Sequence, residues 1–167
     1  MRAVIQRVVR ASVRKKDAQE EVSSIQHGLL IFIGVHRDDK VPVDVDWMVK
    51  KILNLRLYDD KAGGRWKHSV KEMNYEILCI SQFTLYANTM KGSKPDFHHS
   101  MLGPESFPVY ELLIERLGAS YDASKIQRGF FGEHMLIDSE MDGPVTITID
   151  SPMRNPASQN GSSSIIE

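Results

Sequence analysis

A chain of 167 residues with 41% hydrophobic and 26% charged residues has the size and composition of one soluble globular domain. No apolar run reaches the length of a membrane span, and no signal-peptide core is present, so we expect no membrane partner. The single cysteine, Cys79, cannot form an internal disulfide, which favours a cytoplasmic protein.

The net charge of −1 excludes a polycation, but the cations are unevenly distributed. The first sixteen residues contain no acid and include six basic residues: Arg2, Arg7, Arg10, Arg14, Lys15 and Lys16. Such a cluster fits either phosphate contacts or a solvated strand face.

The first third of the chain predicts three strands and a helix. Residues 2–13 alternate loosely between polar and apolar side chains, as in a half-exposed strand. Residues 22–35 predict a second strand that leads into an apolar third strand. A helix is predicted within 37–58. Its apolar residues recur at helical spacing: Trp47, Met48, Ile52 and Leu55.

The remainder predicts two short segments around a turn with two glycines at 59–66, then a strong strand at 75–87. A second helix is predicted from Pro104 to Gly118. One face of that helix is apolar: Phe107, Tyr110, Ile114 and Leu117. Residues 130–140 and 143–150 predict two final strands.

The order of these elements lacks regular β-α alternation, which predicts an α+β fold with largely antiparallel sheets. We expect the sheets to form a partly closed, barrel-like core with two main helices packed outside. Residues 1–150 are expected to form a single domain, and residues 151–167 have the composition of a flexible tail.

Most recurrent catalytic patterns are missing from the sequence. His98 and His99 are adjacent, which is not a ligand spacing, so no structural metal is predicted. The sequence contains no GxSxG elbow, P-loop or GxGxxG motif. Asp38–Asp39 and Asp59–Asp60 lie in turn-like sequence, where aspartate is expected for backbone reasons. Cys79 lies within an apolar run and is expected to be an inert buried thiol.

The end of the strand at 75–87 is unusually polar. On a strand, Gln82 and Thr84 continue a row that begins with apolar Leu78 and Ile80. Burying such groups without partners costs about 1–3 kcal/mol each. Either neighbouring backbone satisfies them, or the end of the strand opens into a pocket.

A second unusual segment is "EMDGPVTITID". Asp142–Gly143 lies between two alternating segments, which is a standard hairpin signal. Pro144 suits the first residue of a strand or an edge position. The pattern therefore predicts a hairpin at this point.

Five segments together resemble the D-aminoacyl-tRNA deacylase family, also known as D-tyrosyl-tRNA deacylases. They occur in the order "MRAVIQRV", "KILNLRLY", "YEILCISQFTLYANTMKGSKPDFH", "GFFGEHM" and "DGPVTITID". The resemblance covers essentially residues 1–150. It implies a homodimeric, cofactor-free hydrolase that cleaves D-aminoacyl-tRNA, and glycine mischarged on tRNA, and that rejects L-aminoacyl-tRNA.

The resemblance also implies roles for particular residues. The catalytic pocket that holds the aminoacyl ester would be lined by Ser81, Gln82, Phe83 and Thr84. Gly143 and Pro144 look like the family's Gly-cisPro motif, which enters the partner's active site to select chirality. Arg7 is similar to the arginine that braces the motif. The terminal adenosine would pack on Phe131 and Met135.

Two positions depart from the family pattern. Met141 stands where many relatives have Asn, and Glu133 stands where a small residue is frequent. The first bears on how the turn before Gly143 is braced, and the second on contacts beside the adenosine.

In that family, catalysis is attributed to the substrate's own 2′-OH, which positions the attacking water. Thr84 has no His or Asp partner in the local sequence, so a binding role is expected for it rather than a nucleophilic one. The competing hypothesis is a nucleic-acid-binding accessory protein without hydrolase activity, which uses the basic N-terminal strand and the flexible tail. An esterase for small molecules is disfavoured because no charged catalytic pair is evident.

Overall fold

A computed structural model describes residues 1–17 and 23–152. The two main helices are α1 (Val43–Asn54) and α2 (Gly103–Ser120). Two short 3₁₀ turns cover Phe83–Tyr86 and Ala123–Lys125. The strands are β1 (Arg2–Lys15), β2 (Ser23–Ile25), β3 (Gly28–Gly34), β4 (Arg56–Tyr58), β5 (His68–Ser69), β6 (Glu76–Ser81), β7 (Ile126–Arg128) and β8 (Met135–Asp150).

One large sheet has the order β2-β1-β3-β6-β7, and β8 pairs with the free side of β1. The pairs of β1 with β2, β3 and β8 are antiparallel, whereas β3–β6 and β6–β7 are parallel. β4 and β5 form a separate antiparallel pair around the predicted glycine turn. The predicted α+β fold with a partly closed, barrel-like sheet is confirmed.

The core has two parts, one on each face of the sheet. The larger cluster packs both helices against the outer face, with Met48, Leu113 and Leu117 fully buried among sheet residues. The smaller cluster lies inside the curl of the sheet: Val8, Ala11, Val13, Ile25, Leu30, Leu78 and Ile80. β6 therefore contributes to both parts, which explains its continuous apolar sequence.

Two predicted helix features need correction. Helix α2 continues two residues beyond Gly118 and ends at Ser120. Its buried face is Ser106, Val109, Tyr110, Leu113 and Leu117. Phe107, which was predicted to lie on that face, is 46% exposed, because one residue of helix rotates a side chain by about 100°.

The predicted hairpin at Asp142–Gly143 is wrong. Residues on both sides of it pair with the same strand, β1, so the chain continues in one direction as β8. β1 spans 14 residues and is long enough to pair with both halves.

The predicted tail lies outside the described residues except for Ser151 and Pro152. Ser151 is buried, and its N–H donates to the Met1 carbonyl at 2.8 Å. Among the described residues, no helix has the length and apolar character needed to cross a bilayer.

Candidate functional site

The polar segment after β6 leaves the sheet rather than extending it. Ser81 is the last residue paired with β3, and the Gln82 N–H still donates to the Ile33 carbonyl at 2.7 Å. β3 ends at Gly34, so the chain has no further ladder partner and turns into the 3₁₀ turn Phe83–Tyr86. The strand predicted to residue 87 is therefore too long.

The side chains of this turn are partly solvated and satisfy one another. The Gln82 amide Nε2 donates to the Thr84 hydroxyl at 2.5 Å. Phe83 is 55% exposed, and its ring meets Phe97 edge-on with centroids 5.0 Å apart. Of the two predicted alternatives, satisfaction by neighbouring backbone does not describe Gln82 and Thr84, since these side chains bond to each other. This end of β6 is an open surface on which the ring pair of Phe83 and Phe97 lies beside the Gln82 amide and the Thr84 hydroxyl.

Arg2 fastens the turn to the sheet, and no sequence signal pointed to it. Its Nη1 donates to the Leu85 carbonyl at 2.9 Å, and its guanidinium lies 5.0 Å from the centre of the Tyr86 ring. Its Nε donates to the Asp150 carboxylate at 2.7 Å. Arg2 thus joins β1, β8 and the 3₁₀ turn.

Phe131 lies beside the polar end of β6. β6 and β7 are parallel. Just after β7, the Gly129 N–H donates to the Cys79 carbonyl at 3.0 Å, which holds this part of the chain beside β6. The same carbonyl accepts the Tyr110 hydroxyl at 2.8 Å. Phe131 packs on Tyr110 and edge-on against Phe107, with centroids 5.7 and 5.1 Å apart. The site residue Phe131 therefore flanks the carboxyl end of β6.

Met135 faces the inner side of the sheet. It packs against the smaller core cluster and is half-buried. The Phe130 N–H points at its sulfur from 3.2 Å. Met135 therefore holds the turn 129–134, whereas Phe131 presents its ring on the other side.

Gly143 and Pro144 form an exposed bulge in β8. Gln6 pairs with Thr146 and Val8 pairs with Met141, so four residues of β8, 142–145, face one residue of β1. Gly143 has a φ of 123°, and an added Cβ would lie 2.8 Å from the Val145 nitrogen. The Gly143–Pro144 peptide bond is cis. We call residues 142–145 the selector loop, after the role that the resemblance implies for Gly143 and Pro144.

Arg7 is the one β1 residue opposite the selector loop, and it is only 13% exposed. Its Nη1 donates to the Leu57 carbonyl of β4 at 2.7 Å. Its Nε lies 3.3 Å from the Asp142 carbonyl and 3.0 Å from the Asp142 carboxylate. The Arg7 guanidinium also faces the Tyr58 ring at 5.7 Å. The guanidinium therefore bridges β4 and the selector loop. The contacts from Leu57 and Tyr58 were not predicted.

The two halves of the candidate site lie apart in one chain. Ser81 pairs with Ile33, and Ile33 pairs with Ala3, so the end of β6 is level with Ala3 of β1. The selector loop faces Arg7, four residues further along β1, or about 14 Å at the usual strand rise. β8 also lies on the opposite side of β1 from β3. Within one chain, the structure does not bring Gly143 and Pro144 to Ser81.

The basic N-terminal strand is largely neutralised by acids near or within β8. Four of its cations form ion pairs at 2.7–3.4 Å: Arg2–Asp150, Arg7–Asp142, Arg10–Glu140 and Lys15–Glu133. The departure at Glu133 thus supplies one partner of this ladder. The cluster fits a strand face with its own counter-charges better than a free phosphate surface.

Cys79 is fully buried, and burial raises the pKa of its thiol to about 12. The predicted burial of this thiol is confirmed. Within 1–17 and 23–152, no three His, Cys, Asp or Glu side chains are grouped as a metal site requires.

Comparisons with known proteins find a matching family model, similar sequences and a similar solved structure. The family model described as D-Tyr-tRNA(Tyr) deacylase matches residues 4–150. A D-aminoacyl-tRNA deacylase of Drosophila melanogaster is 50% identical, covering 91% of this chain and 93% of the relative. One of Schizosaccharomyces pombe is 48% identical, covering 90% and 99%.

A solved structure named c-Myc DNA Unwinding Element Binding Protein superposes with a TM-score of 0.86 and is 42% identical. The match covers 92% of this chain and 100% of that one.

Proposed function

The chain belongs to the D-Tyr-tRNA(Tyr) deacylase family, and we propose that it hydrolyses the ester between a D-amino acid and the 3′ end of tRNA. The products are the free D-amino acid and uncharged tRNA. Glycine mischarged on tRNA is the second proposed substrate, and the proposed compartment is the cytoplasm. L-Aminoacyl-tRNA is rejected.

The observation that carries the proposal is the separation of the two half-sites on one chain. The polar turn after β6 is open, and the selector loop projects from β8 about 14 Å away along β1. A homodimer in which each selector loop completes its partner's turn would unite them twice, by symmetry. The proposed active site therefore contains Ser81–Thr84 of one protomer and Gly143–Pro144 of the other.

The chemistry needs no charged catalytic pair in this arrangement. A water oxygen attacks the ester carbonyl carbon, and its proton passes by way of the substrate's 2′-OH to the departing 3′-oxygen as the C–O bond breaks. The first N–H groups of a helical turn lack partners inside that turn, so those of Phe83 and Thr84 are available to the oxyanion. One such donor contributes about 3–4 kcal/mol in known hydrolases.

Chiral selection is assigned to the backbone of the selector loop. Every aminoacyl ester carries an α-ammonium group. The carbonyl oxygens of Gly143 and Pro144 are suited to accept hydrogen bonds from it. A Cβ at Gly143 would meet Val145, so glycine lets the loop keep this conformation and leaves its main chain uncovered by a side chain. The L side chain would then collide with main chain, whereas the D side chain points away, which makes rejection independent of side-chain identity.

The experiment that tests this proposal is complementation between two variants. Arg7→Ala removes the side chain that holds the selector loop to β4, and Gln82→Ala removes a polar side chain of the turn. Each homodimer should clear D-tyrosyl-tRNA poorly. An equimolar mixture that exchanges subunits at random becomes about half mixed dimer, and each mixed dimer has one of its two sites with both halves intact. The mixture should therefore recover about a quarter of the wild-type sites.

No recovery in a mixture shown to contain mixed dimers would exclude a site shared between protomers. L-Tyrosyl-tRNA serves as the matched substrate. Absence of wild-type hydrolysis of either ester would reject the deacylase function itself.

A second candidate function is DNA binding, because the 42% identical solved structure is named for binding a DNA unwinding element. The ion-pair ladder between β1 and β8 weighs against the basic strand as the DNA surface. Titration with tRNA and with DNA of equal length, at several salt concentrations, separates the two candidates. Tighter DNA binding without deacylation would favour the second.

A further inference from the structure

An exposed tryptophan stands on the loop between β4 and β5. Trp66 is 50% exposed, although large aromatic side chains are usually well buried. It has a φ of 60°, which a bulky residue rarely adopts and which costs free energy relative to glycine or asparagine. The chain therefore keeps a large apolar ring in solvent, although large rings are usually buried and bulky residues rarely adopt a positive φ.

The loop is tied together by its own carboxylates. The Asp60 carboxylate accepts the N–H groups of Ala62 and Gly64 at 2.9 and 2.7 Å, and Asp59 accepts that of Trp66 at 3.2 Å. The Lys67 N–H donates to the Tyr58 carbonyl at 2.8 Å, which anchors the loop to β4. The carboxylates of Asp59 and Asp60 thus stabilise the backbone of the loop.

Three exposed cations of the loop are close to Trp66 in the sequence: Lys61, Arg65 and Lys67. A flat ring in solvent flanked by cations is the combination that binds single-stranded nucleic acid, because bases stack on the ring and phosphates meet the cations.

We propose that the loop 59–67 is an RNA contact in which Trp66 stacks on a nucleobase of the single-stranded 3′ end of tRNA. Arg65 and Lys67 neutralise the adjoining phosphates. The choice of RNA rests on the proposed deacylase function, which makes aminoacyl-tRNA the substrate.

The position of the loop agrees with this role. β4 carries the loop and touches Arg7 through the Leu57 carbonyl and the Tyr58 ring. Arg7 in turn holds the selector loop, so loop 59–67 projects from the same part of the molecule. In the proposed homodimer the selector loop reaches the aminoacyl end of the tRNA. The nucleotides preceding that end then leave the pocket beside Trp66.

The experiment uses the fluorescence of Trp66 in the full chain. The chain has two tryptophans, so Trp47→Phe leaves Trp66 as the only reporter. Uncharged tRNA should quench the emission, and tRNA trimmed of its single-stranded 3′ nucleotides should not. If Trp47→Phe fails to fold, the difference between the wild type and Trp66→Phe gives the same signal.

Affinity provides the second measurement. Trp66→Ala should weaken tRNA binding by about tenfold, and Trp66→Phe should restore most of it, because phenylalanine still stacks. The double variant Arg65→Gln/Lys67→Gln should reduce the slope of log K against log salt by roughly 1.4.

Three results would overturn the inference: no quenching by intact tRNA, equal quenching by trimmed tRNA, or a change of oligomeric state in Trp66→Ala with unchanged tRNA affinity. The last would make Trp66 a protein contact. These readouts involve no hydrolysis. Quenching without deacylation would reject the proposed function alone, and deacylation with a silent Trp66 would reject this inference alone.

Discussion

The selector loop and the turn Phe83–Tyr86 both present backbone to solvent, yet they are held in opposite ways. The selector loop depends on one partly buried side chain, Arg7, with contacts to Leu57 and Asp142. The turn is held by several separate contacts, among them the Phe83–Phe97 pair and Arg2. A loop fixed by one side chain has few alternatives when that side chain is lost. A turn fixed at several points should keep its backbone position after a single side-chain change.

The largest effect is expected from Arg7→Ala. The substitution leaves the Leu57 carbonyl and the Asp142 carboxylate without their partner, which should cost about 2 kcal/mol of unfolding free energy. We also expect the ratio of D- to L-tyrosyl-tRNA hydrolysis to fall by about tenfold or more, because the loop loses its position. Denaturant unfolding and matched deacylation assays measure the two effects.

The matched control for Arg7 is Arg10→Ala on the same strand. The side chains of Arg10 and its partner Glu140 are 70% and 56% exposed, so losing this pair should change stability by less than about 0.5 kcal/mol. Equal effects of the two substitutions would show that Arg7 is an ordinary surface cation.

Gly143→Ala should have the next largest effect. Besides the unfavourable φ of 123°, its Cβ would lie 2.8 Å from the Val145 nitrogen, so the loop must shift. We expect a loss of about 1–3 kcal/mol in stability, together with reduced turnover of the D ester. Gly92→Ala is the control, since Gly92 has a φ of 67° with nothing within 4 Å of an added Cβ. A similar melting temperature for both variants would contradict the proposed crowding at Gly143.

Thr84→Val should have a smaller effect. Thr84 is exposed and its hydroxyl contacts only the Gln82 amide in the described structure, so stability should change by at most about 0.5 kcal/mol. Turnover of D-tyrosyl-tRNA should remain within about tenfold of the wild type if Thr84 only binds. Loss of a nucleophile costs on the order of 10⁴-fold or more, so a loss of that size would assign Thr84 the chemical step.

The smallest effect is expected from treating the folded protein with a thiol-alkylating reagent, because Cys79 is buried. Cys79 lies in β6 just before the polar turn. Burial raises its pKa to about 12, so the thiolate is scarce at every pH below that value. A thiol-alkylating reagent should leave the folded protein unmodified at pH 8 and modify the unfolded chain. Mass spectrometry measures the difference. Rapid labelling of the folded protein would show that the end of β6 opens. The turn Phe83–Tyr86 would then be held less firmly than its several contacts indicate.

Local patterns in the sequence were sufficient for much of the fold. The periodicity of 37–58 predicted α1, the glycines of 59–66 predicted the turn between β4 and β5, and the apolar run predicted β6. These features depend on residues close together along the chain, which is why they could be read from it. The residues of "SQFTL" and "GPVT", together with three further segments, were sufficient to identify the family.

Long-range pairing governed the features that the sequence could not predict. The Asp-Gly hairpin signal was overridden because β1 offers a partner on both sides of it, so the chain bulges opposite Arg7 instead of turning back. β6 ended at Ser81 because its neighbour β3 ended at Gly34. The same pairings place the selector loop and the polar turn apart in one chain. Strand partners are chosen across the whole molecule, so no local pattern contains that separation.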